Sequence, residues 1–152
     1  MKKILNYILV GVLISFAYNC EEDLPSGSTD YVTFAAPNID VTVDVGSGSA
    51  STDIVVYTGN KTGSDRTFNL MVDTDVSSAD PSAYSVPASV TIPGGTNKGT
   101  VSVQLNESGL DFAFSSVVVR LMPNQGSSTS YGVESYVINA GLLCPTATAG
   151  QL

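Results

Sequence analysis

Residues Asp65 to Leu105 read DRTFNLMVDTDVSSADPSAYSVPASVTIPGGTNKGTVSVQL and alternate apolar with polar positions between turns. The apolar members of this alternation are Phe68, Leu70, Val72, Val90, Ile92, Val101, Val103 and Leu105. A period of two indicates strands that have one face buried and the other face in water. The glycine turn at residues 93–99 separates two of these runs. The segment therefore predicts three or four β-strands, and a sheet rather than an active site is its organising unit.

The same pattern continues on both sides of this segment. Further strands are predicted at Tyr31–Phe34, Asn38–Val45, Asp53–Thr58, Ser115–Met122 and Tyr131–Asn139. In the second strand Ile39, Val41, Val43 and Val45 are expected to point inward, and Gly46–Thr52 is expected to be a loose connection. The unbroken run Val117–Val119 predicts a central strand that is covered on both faces. Seven to nine strands predict an all-β fold with two packed antiparallel sheets, a β-sandwich.

The amino terminus has the composition of an export signal. Lys2 and Lys3 precede an apolar run from Ile4 to Ala17, which is short for a membrane span. The following Cys20 resembles the lipid-modified first residue of a bacterial lipoprotein, so residues 1–19 are predicted to be a lipoprotein signal peptide. The alternative is an ordinary secretory peptide whose Cys20 forms a disulfide. Several acyl chains on one cysteine would anchor the protein stably in a membrane.

A tether is predicted between the lipid and the folded domain, at residues 20–30. Glu21, Glu22 and Asp23 come directly after the cysteine, and a Pro/Gly/Ser-rich segment follows them. The three acidic residues resemble the surface-export signal of Bacteroidetes-type lipoproteins, which implies display on the outer face of the outer membrane. The alternative is a solvated charge run that only keeps the tether extended.

The charge balance and the missing residue types exclude two functional classes. Without Lys2 and Lys3, four basic residues remain against fourteen acidic ones, a formal net charge of −10. Such a surface does not suit nucleic acid, which needs clustered Lys and Arg. The chain has no His, and it carries neither a nucleophile elbow nor a phosphate-binding loop. The sequence therefore predicts no enzyme activity and no cofactor.

Several of these strand and turn segments together resemble a known kind of domain. They are Asp65–Phe68, Tyr84–Pro87, Val90–Gly95, Val101–Val103 and Val117–Leu121. In this order they resemble the immunoglobulin-like or Calx-beta-like β-sandwich of Bacteroidetes surface lipoproteins. The resemblance implies an accessory role beside an outer-membrane nutrient importer, and it covers roughly Tyr31 to Asn139.

One loop has oxygen ligands that could hold a metal ion. Asp73, Asp75 and Asp80 lie between two predicted strands, and Asp-x-Asp is a spacing that Ca²⁺ loops use. An EF-hand is excluded, because the sixth position is not Gly and Tyr84 stands at the twelfth. A weak Ca²⁺ site and a plain polar turn are both compatible with these residues.

Two binding functions follow for the predicted domain at residues 31–140. In one, the protein is an accessory subunit that docks on an outer-membrane complex. In the other, it binds a glycan or a protein by itself, through tyrosines that are exposed; the candidates are Tyr57, Tyr84, Tyr131 and Tyr136. A row of exposed Tyr rings would favour a glycan, whereas an apolar patch would favour docking. Residues 141–152 are predicted to be a tail, in which Cys144 is buried or idle.

Overall fold

The computed structural model describes residues 30–122, 129–130 and 132–143. These residues form ten strands, β1 to β10 in chain order: Tyr31–Phe34, Asn38–Asp44, Ser49–Thr58, Arg66–Val72, Tyr84–Ser85, Ser89–Ile92, Lys98–Asn106, Ser115–Leu121, Thr129–Ser130 and Ser135–Leu143. Two 3-10 helices cover Pro81–Ala83 and Glu107–Gly109. The predicted all-β sandwich is confirmed. The ten strands exceed the predicted seven to nine, and two of them, β5 and β9, have only two residues each.

Two five-stranded sheets pack face to face. One has the order β5-β7-β3-β1-β9 and the other the order β2-β10-β8-β4-β6. Most neighbouring strands are antiparallel, but β10 pairs with β2 in parallel, as β1 does with β9. Strand β8 is the middle strand of its sheet, as the Val117–Val119 run predicted. All three valines are buried, and Val117 and Val119 belong to the core between the sheets.

The core lies between the inner faces of the two sheets. Strand β7 shows how the alternation builds it, because Val101, Val103 and Leu105 are buried while the residues between them are exposed. Phe68 and Leu70 do the same on β4 in the opposite sheet. Each such side chain contributes about 1.5–3 kcal/mol when it leaves water. The period-two pattern of the sequence therefore corresponds to the buried faces of these strands.

Two strand boundaries differ from the prediction. Strand β3 begins at Ser49, inside the segment that was expected to be a loose connection, because Ser49–Thr52 pairs with the end of β7. Strand β2 ends at Asp44, so Val45 lies in the following turn and is 48% exposed rather than inward. Backbone pairing with an established neighbour thus overrides the weak strand preference of a Ser-rich segment.

The last strand also runs further than the sequence indicated. Strand β10 continues to Leu143, and its final residues pair with Thr42, Val43 and Asp44 of β2. The prediction that the tail begins at Gly141 is therefore wrong by three residues. Leu142 packs against the core, and its N–H donates to the carbonyl of Asp111 at 2.8 Å.

The chain enters and leaves the sandwich at opposite ends. Asp30 precedes β1, whose residue Val32 lies opposite Thr58 at the end of β3. Leu143 lies opposite Asp44, next to the tight turn that leads into the start of β3. We call the end near Asp30 the proximal end and the end near Leu143 the distal end. Within the described ranges, no helix has the length and apolar character that crossing a membrane would need.

Candidate functional site

Three loops meet at the distal end, and a glutamate joins two of them. The Glu107 carboxylate accepts the N–H groups of Gly46 and Gly48, each at 2.8 Å. Both glycines have positive φ angles, +89° and +77°, which L side chains rarely adopt. The two N–H groups stabilise the ionised carboxylate and so lower the pKa of Glu107. This clamp fixes the β2–β3 turn against the segment that follows β7.

The loop after β4 is tied to β8 by side-chain hydrogen bonds. Asp73 Oδ2 accepts from Arg120 Nε at 2.6 Å, and Asp73 Oδ1 accepts the N–H of Asp75 at 3.2 Å. The hydroxyl of Ser77 accepts the N–H of Val118 at 2.9 Å. The loop therefore continues the edge of the sheet instead of projecting from it.

Asp80 has a structural role at the start of the first 3-10 helix. Its Oδ1 accepts the N–H of Ser82 at 2.8 Å and the hydroxyl of the same residue at 2.7 Å. These bonds cap the short helix and lower the pKa of Asp80. A Pro at the first helical position, Pro81, needs no hydrogen-bond acceptor there.

The three candidate calcium ligands do not form one metal site in this arrangement. Asp73 pairs with Arg120, and Asp80 holds Ser82, so both carboxylates already have protein partners. Across residues 30–122, 129–130 and 132–143, no group of three or more Asp, Glu or Cys side chains is placed to hold a metal ion. Calcium binding by Asp73, Asp75 and Asp80 stays a prediction, and polar turn contacts account for two of the three residues.

The candidate tyrosines do not form an exposed row. Tyr136 is 5% exposed and packs against Phe34, with the ring centroids 5.7 Å apart. Burial raises its pKa. Tyr84 is half-buried against the core, and of the candidate tyrosines that the structure describes only Tyr57, on the proximal half of β3, is exposed. Tyr136 therefore cannot stack on a surface ligand, and the two others lie towards opposite ends of the sheet.

The sequence analysis missed two exposed aromatic residues at the distal end. Phe112 is 58% exposed and Phe114 is 54% exposed, and both lie in the connection between the second 3-10 helix and β8. The Phe-Ala-Phe segment directly precedes the strand predicted at Ser115–Met122, and β8 does begin at Ser115. Both rings therefore lie in the loop before the strand and not in the core. Leu143, 47% exposed, belongs to the same end of the sandwich.

Several candidate residues lie outside the described residues. These are Cys20, Glu21, Glu22, Asp23, Tyr131 and Cys144. The lipid attachment, the surface-export signal and the state of the second cysteine therefore remain predictions.

No family model matches this chain, and no curated protein matches it either. Solved structures do share its fold. A provisionally assigned carbohydrate-binding protein from Bacteroides ovatus superposes with a TM-score of 0.58 at 15% identity, over 73% of this chain and 36% of that one. The apo-form Calx CBD1 domain superposes with a TM-score of 0.54 at 8% identity, over 76% of this chain and 99% of that domain. The calcium-binding domain CBD12 of CALX1.1 superposes with a TM-score of 0.51 at 9% identity, over 72% of this chain and 44% of that one.

These likenesses show the fold, which is a Calx-beta-like β-sandwich. The match covers nearly the whole length of the Calx CBD1 domain. The chain spans only about a third of the length of the Bacteroides ovatus protein and less than half of the CALX1.1 structure. The functions of those longer proteins therefore do not transfer with the fold.

Proposed function

We propose that this protein is a non-catalytic binding module that lipid on Cys20 holds at the outer face of the outer membrane. In this proposal it serves as an accessory subunit of an outer-membrane complex of the nutrient-import kind. The leader, the acidic residues after Cys20 and the Calx-beta-like sandwich support the proposal. A binding role suits the fold, because its loops present side chains on a rigid scaffold.

The exposure of Phe112 and Phe114 at the distal end carries this proposal. Two large aromatic rings in one loop are costly to leave in water, and exposed apolar clusters of this kind mark interaction surfaces. Aromatic residues are also enriched where protein partners bind. Tyr136 is buried and Tyr84 is half-buried, so these two candidates do not offer a row of sugar-stacking rings.

The end of the sandwich at which the tether is attached fits this use. The tether from Cys20 to Asp30 has ten residue steps, which span at most about 35 Å when fully extended. It joins the sandwich at the proximal end, so the attachment leaves the distal end with its two phenylalanines unobstructed. Confinement to the membrane plane then raises the effective concentration of the module near a membrane partner.

Co-purification from native outer membranes tests the docking role. Tagged full-length protein, extracted in mild detergent, should recover a β-barrel protein in stoichiometric amount. The variant F112S/F114S should lose that protein, whereas Tyr57→Ser, an exposed tyrosine on the proximal half, should retain it. Recovery of the wild-type lipoprotein alone would contradict docking. Retention of the β-barrel by F112S/F114S would remove the distal end as the docking surface.

The lipid anchor has its own test. Mass spectrometry of the amino-terminal peptide of the purified protein should find acyl chains on Cys20. The variant Cys20→Ser should leave the membrane fraction, because the tether and the sandwich supply no comparable anchor. Protease added to intact cells should cleave the wild-type protein if it is displayed outside. Protection from protease would place it on the inner face instead.

A free glycan is the second candidate ligand. The likeness to the provisionally assigned carbohydrate-binding protein supports it, and so does the exposed Phe114 ring with carboxylates nearby. Sugar hydroxyls can donate hydrogen bonds to carboxylate oxygens. Binding of the lipid-free protein to a glycan array, with loss of the signal in Phe114→Ser, would support this alternative over protein docking.

A further inference from the structure

A pocket of about 380 Å³ opens at the distal end, between the loop after β4 and the segment that precedes β8. Its lining combines two carboxylates, two hydroxyls, small residues and one aromatic ring; the residues are Ser78, Asp80, Gly109, Asp111, Ala113, Phe114 and Ser115. The docking surface proposed above borders this pocket, since Phe114 belongs to both. The chemistry of the lining therefore indicates which kind of side chain the docking partner would place in this pocket.

Both carboxylates of the pocket have oxygen atoms left to bind a ligand. Asp80 uses Oδ1 for Ser82, and its Oδ2 accepts no hydrogen bond from any described residue. The side chain of Asp111 likewise accepts none within the described part of the chain, and it is exposed. The backbone of Asp111 is nevertheless fixed, because its carbonyl accepts the N–H of Leu142 at 2.8 Å. Ser82 therefore fixes the Asp80 carboxylate through one oxygen atom and leaves the other vacant, whereas at Asp111 only the backbone is fixed and both carboxylate oxygen atoms are vacant.

Phe114 adds an aromatic face to these oxygen atoms. A Cβ added to Gly141 would lie 3.5 Å from both Cα and Cδ2 of Phe114, so the residue packs against β10 where no side chain intervenes. The other part of the ring is in water, since Phe114 is 54% exposed. A ring face attracts cations through its quadrupole, and a nearby carboxylate strengthens the same preference.

The distribution of charge along the sandwich also favours a cationic ligand at the distal end. The basic residues of the described part lie in the proximal half: Lys61, Arg66, Lys98 and Arg120. Arg66 and Arg120 are, in addition, engaged in ion pairs. The distal end has Asp44 and Glu107 besides the two pocket carboxylates. An end with charge of one sign raises the local concentration of the opposite charge and speeds its association.

We propose that this pocket receives a cationic side chain, Arg or Lys, from the protein on which the module docks. The guanidinium or ammonium group donates to the outer oxygen atoms of Asp80 and Asp111 and lies against the Phe114 ring. The inference rests on the proposed docking function and specifies its partner as a basic surface. An anionic ligand would meet repulsion here, and the hydroxyls of a neutral sugar would donate hydrogen bonds to the carboxylates without neutralising their charge, as a cation does.

A titration of the lipid-free mature chain, with Cys20→Ser, tests the pocket without any partner. The probe is N-acetyl-arginine amide, and N-acetyl-citrulline amide is the matched ligand, which has nearly the same shape without the charge. We expect saturable shifts in the backbone amide resonances of Asp80, Asp111 and Phe114 with the arginine probe, weakened by NaCl. The citrulline probe should cause none.

Variants assign the shifts to the two carboxylates. D80N/D111N should weaken arginine binding about tenfold or more, because charge-assisted hydrogen bonds are lost. Asn at position 80 keeps an acceptor for Ser82, and an unchanged amide spectrum elsewhere would show that the fold is intact. The control is Asp53→Asn, which removes one charge from an exposed site on β3. Its arginine affinity should equal that of the wild type.

Several outcomes would overturn the proposal. They include equal shifts with citrulline, arginine shifts that survive in D80N/D111N, and shifts at these amides with glucose or Ca²⁺ but not with arginine. The failure of docking is separable from the failure of this inference. If D80N/D111N retains the β-barrel protein from membranes while F112S/F114S loses it, docking stands and the cationic contact is wrong. If even the wild type recovers no β-barrel, docking fails, and the titration still decides whether the pocket binds a cation.

Discussion

Arg66 reaches back 36 positions to Asp30 and donates from Nη1 to its carboxylate at 2.9 Å. The same guanidinium donates from Nη2 to the Thr58 hydroxyl and to the Asn60 carbonyl. Both charged side chains of the pair are only 15% exposed. One arginine therefore ties the first described residue of the chain to the end of β3 and to the turn that follows it.

Loss of this arginine should destabilise the sandwich strongly. We expect Arg66→Met to lower the free energy of unfolding by about 3 kcal/mol, because three partly buried oxygen acceptors lose their donor. Arg120→Met is the matched control. That side chain is 42% exposed, so its pair with Asp73 should contribute less than about 1 kcal/mol. Urea unfolding of both variants measures the difference, and equal losses would contradict the assigned role of Arg66.

The Glu107 clamp predicts a dependence of stability on pH. Its folded-state pKa lies below the ordinary value of 4.5, so the ionised carboxylate stabilises the fold fully above that pH. This contribution disappears as the pH falls through the lowered pKa. Glu107→Gln should be less stable than the wild type at pH 7, and the two proteins should converge in strongly acidic solution. Melting temperatures across the acidic range measure this, and a difference that persists in full at low pH would refute it.

Gly109 has no room for a side chain. A Cβ at this position would lie 2.5 Å from the backbone nitrogen and Cα of Ala83, where the two 3-10 helices meet. We expect Gly109→Ala to cost about 1–3 kcal/mol, since the backbone of one helix must shift. Gly63→Ala is the control, because nothing lies within 4 Å of its added Cβ and its φ is not positive. Chemical denaturation should leave that variant near the wild type, and a tolerated Gly109→Ala would contradict the close packing.

The last three residues of β10 should be required for full stability. A protein that ends at Ala140 loses the pairing of Gly141, Leu142 and Leu143 with β2, and it loses the packing of Leu142. We expect it to be less stable than one that ends at Leu143 by about 2–4 kcal/mol, from the half-buried Leu142 and the hydrogen bonds together. Thermal unfolding of the two proteins measures the difference. Equal melting temperatures would show that β2 needs no partner at its distal end.

The strand pattern predicted the sandwich well where burial alternates. Strands β4, β6 and β7 have the inward residues that the sequence indicated, because each has one face in the core. The position of Tyr136 could not be predicted from the pattern alone. Alternation sorts the last strand into two sets of residues, but only its register with β8 decides which set is buried.

The candidate site was less predictable than the fold. Asp73 and Asp80 have the composition of a calcium loop, yet their partners Arg120 and Ser82 are chosen by the folded backbone. The start of β8 at Ser115 was predicted, but the exposure of Phe112 and Phe114 was not, because nothing in the local pattern shows whether an aromatic residue in the preceding loop is buried. Contacts between loops that are distant in sequence determine this end of the molecule, and local periodicity carries no information about them.

The opposite positions of Asp30 and Leu143 make the sandwich a spacer. Its longest strand, β3, has ten residues and measures about 33 Å at 3.3 Å per residue. A segment joined after Leu143 would start roughly that distance from one joined before Asp30, instead of returning beside it. Copies linked head to tail would therefore extend as a rod. A single copy would separate the segments on its two sides by about one strand length.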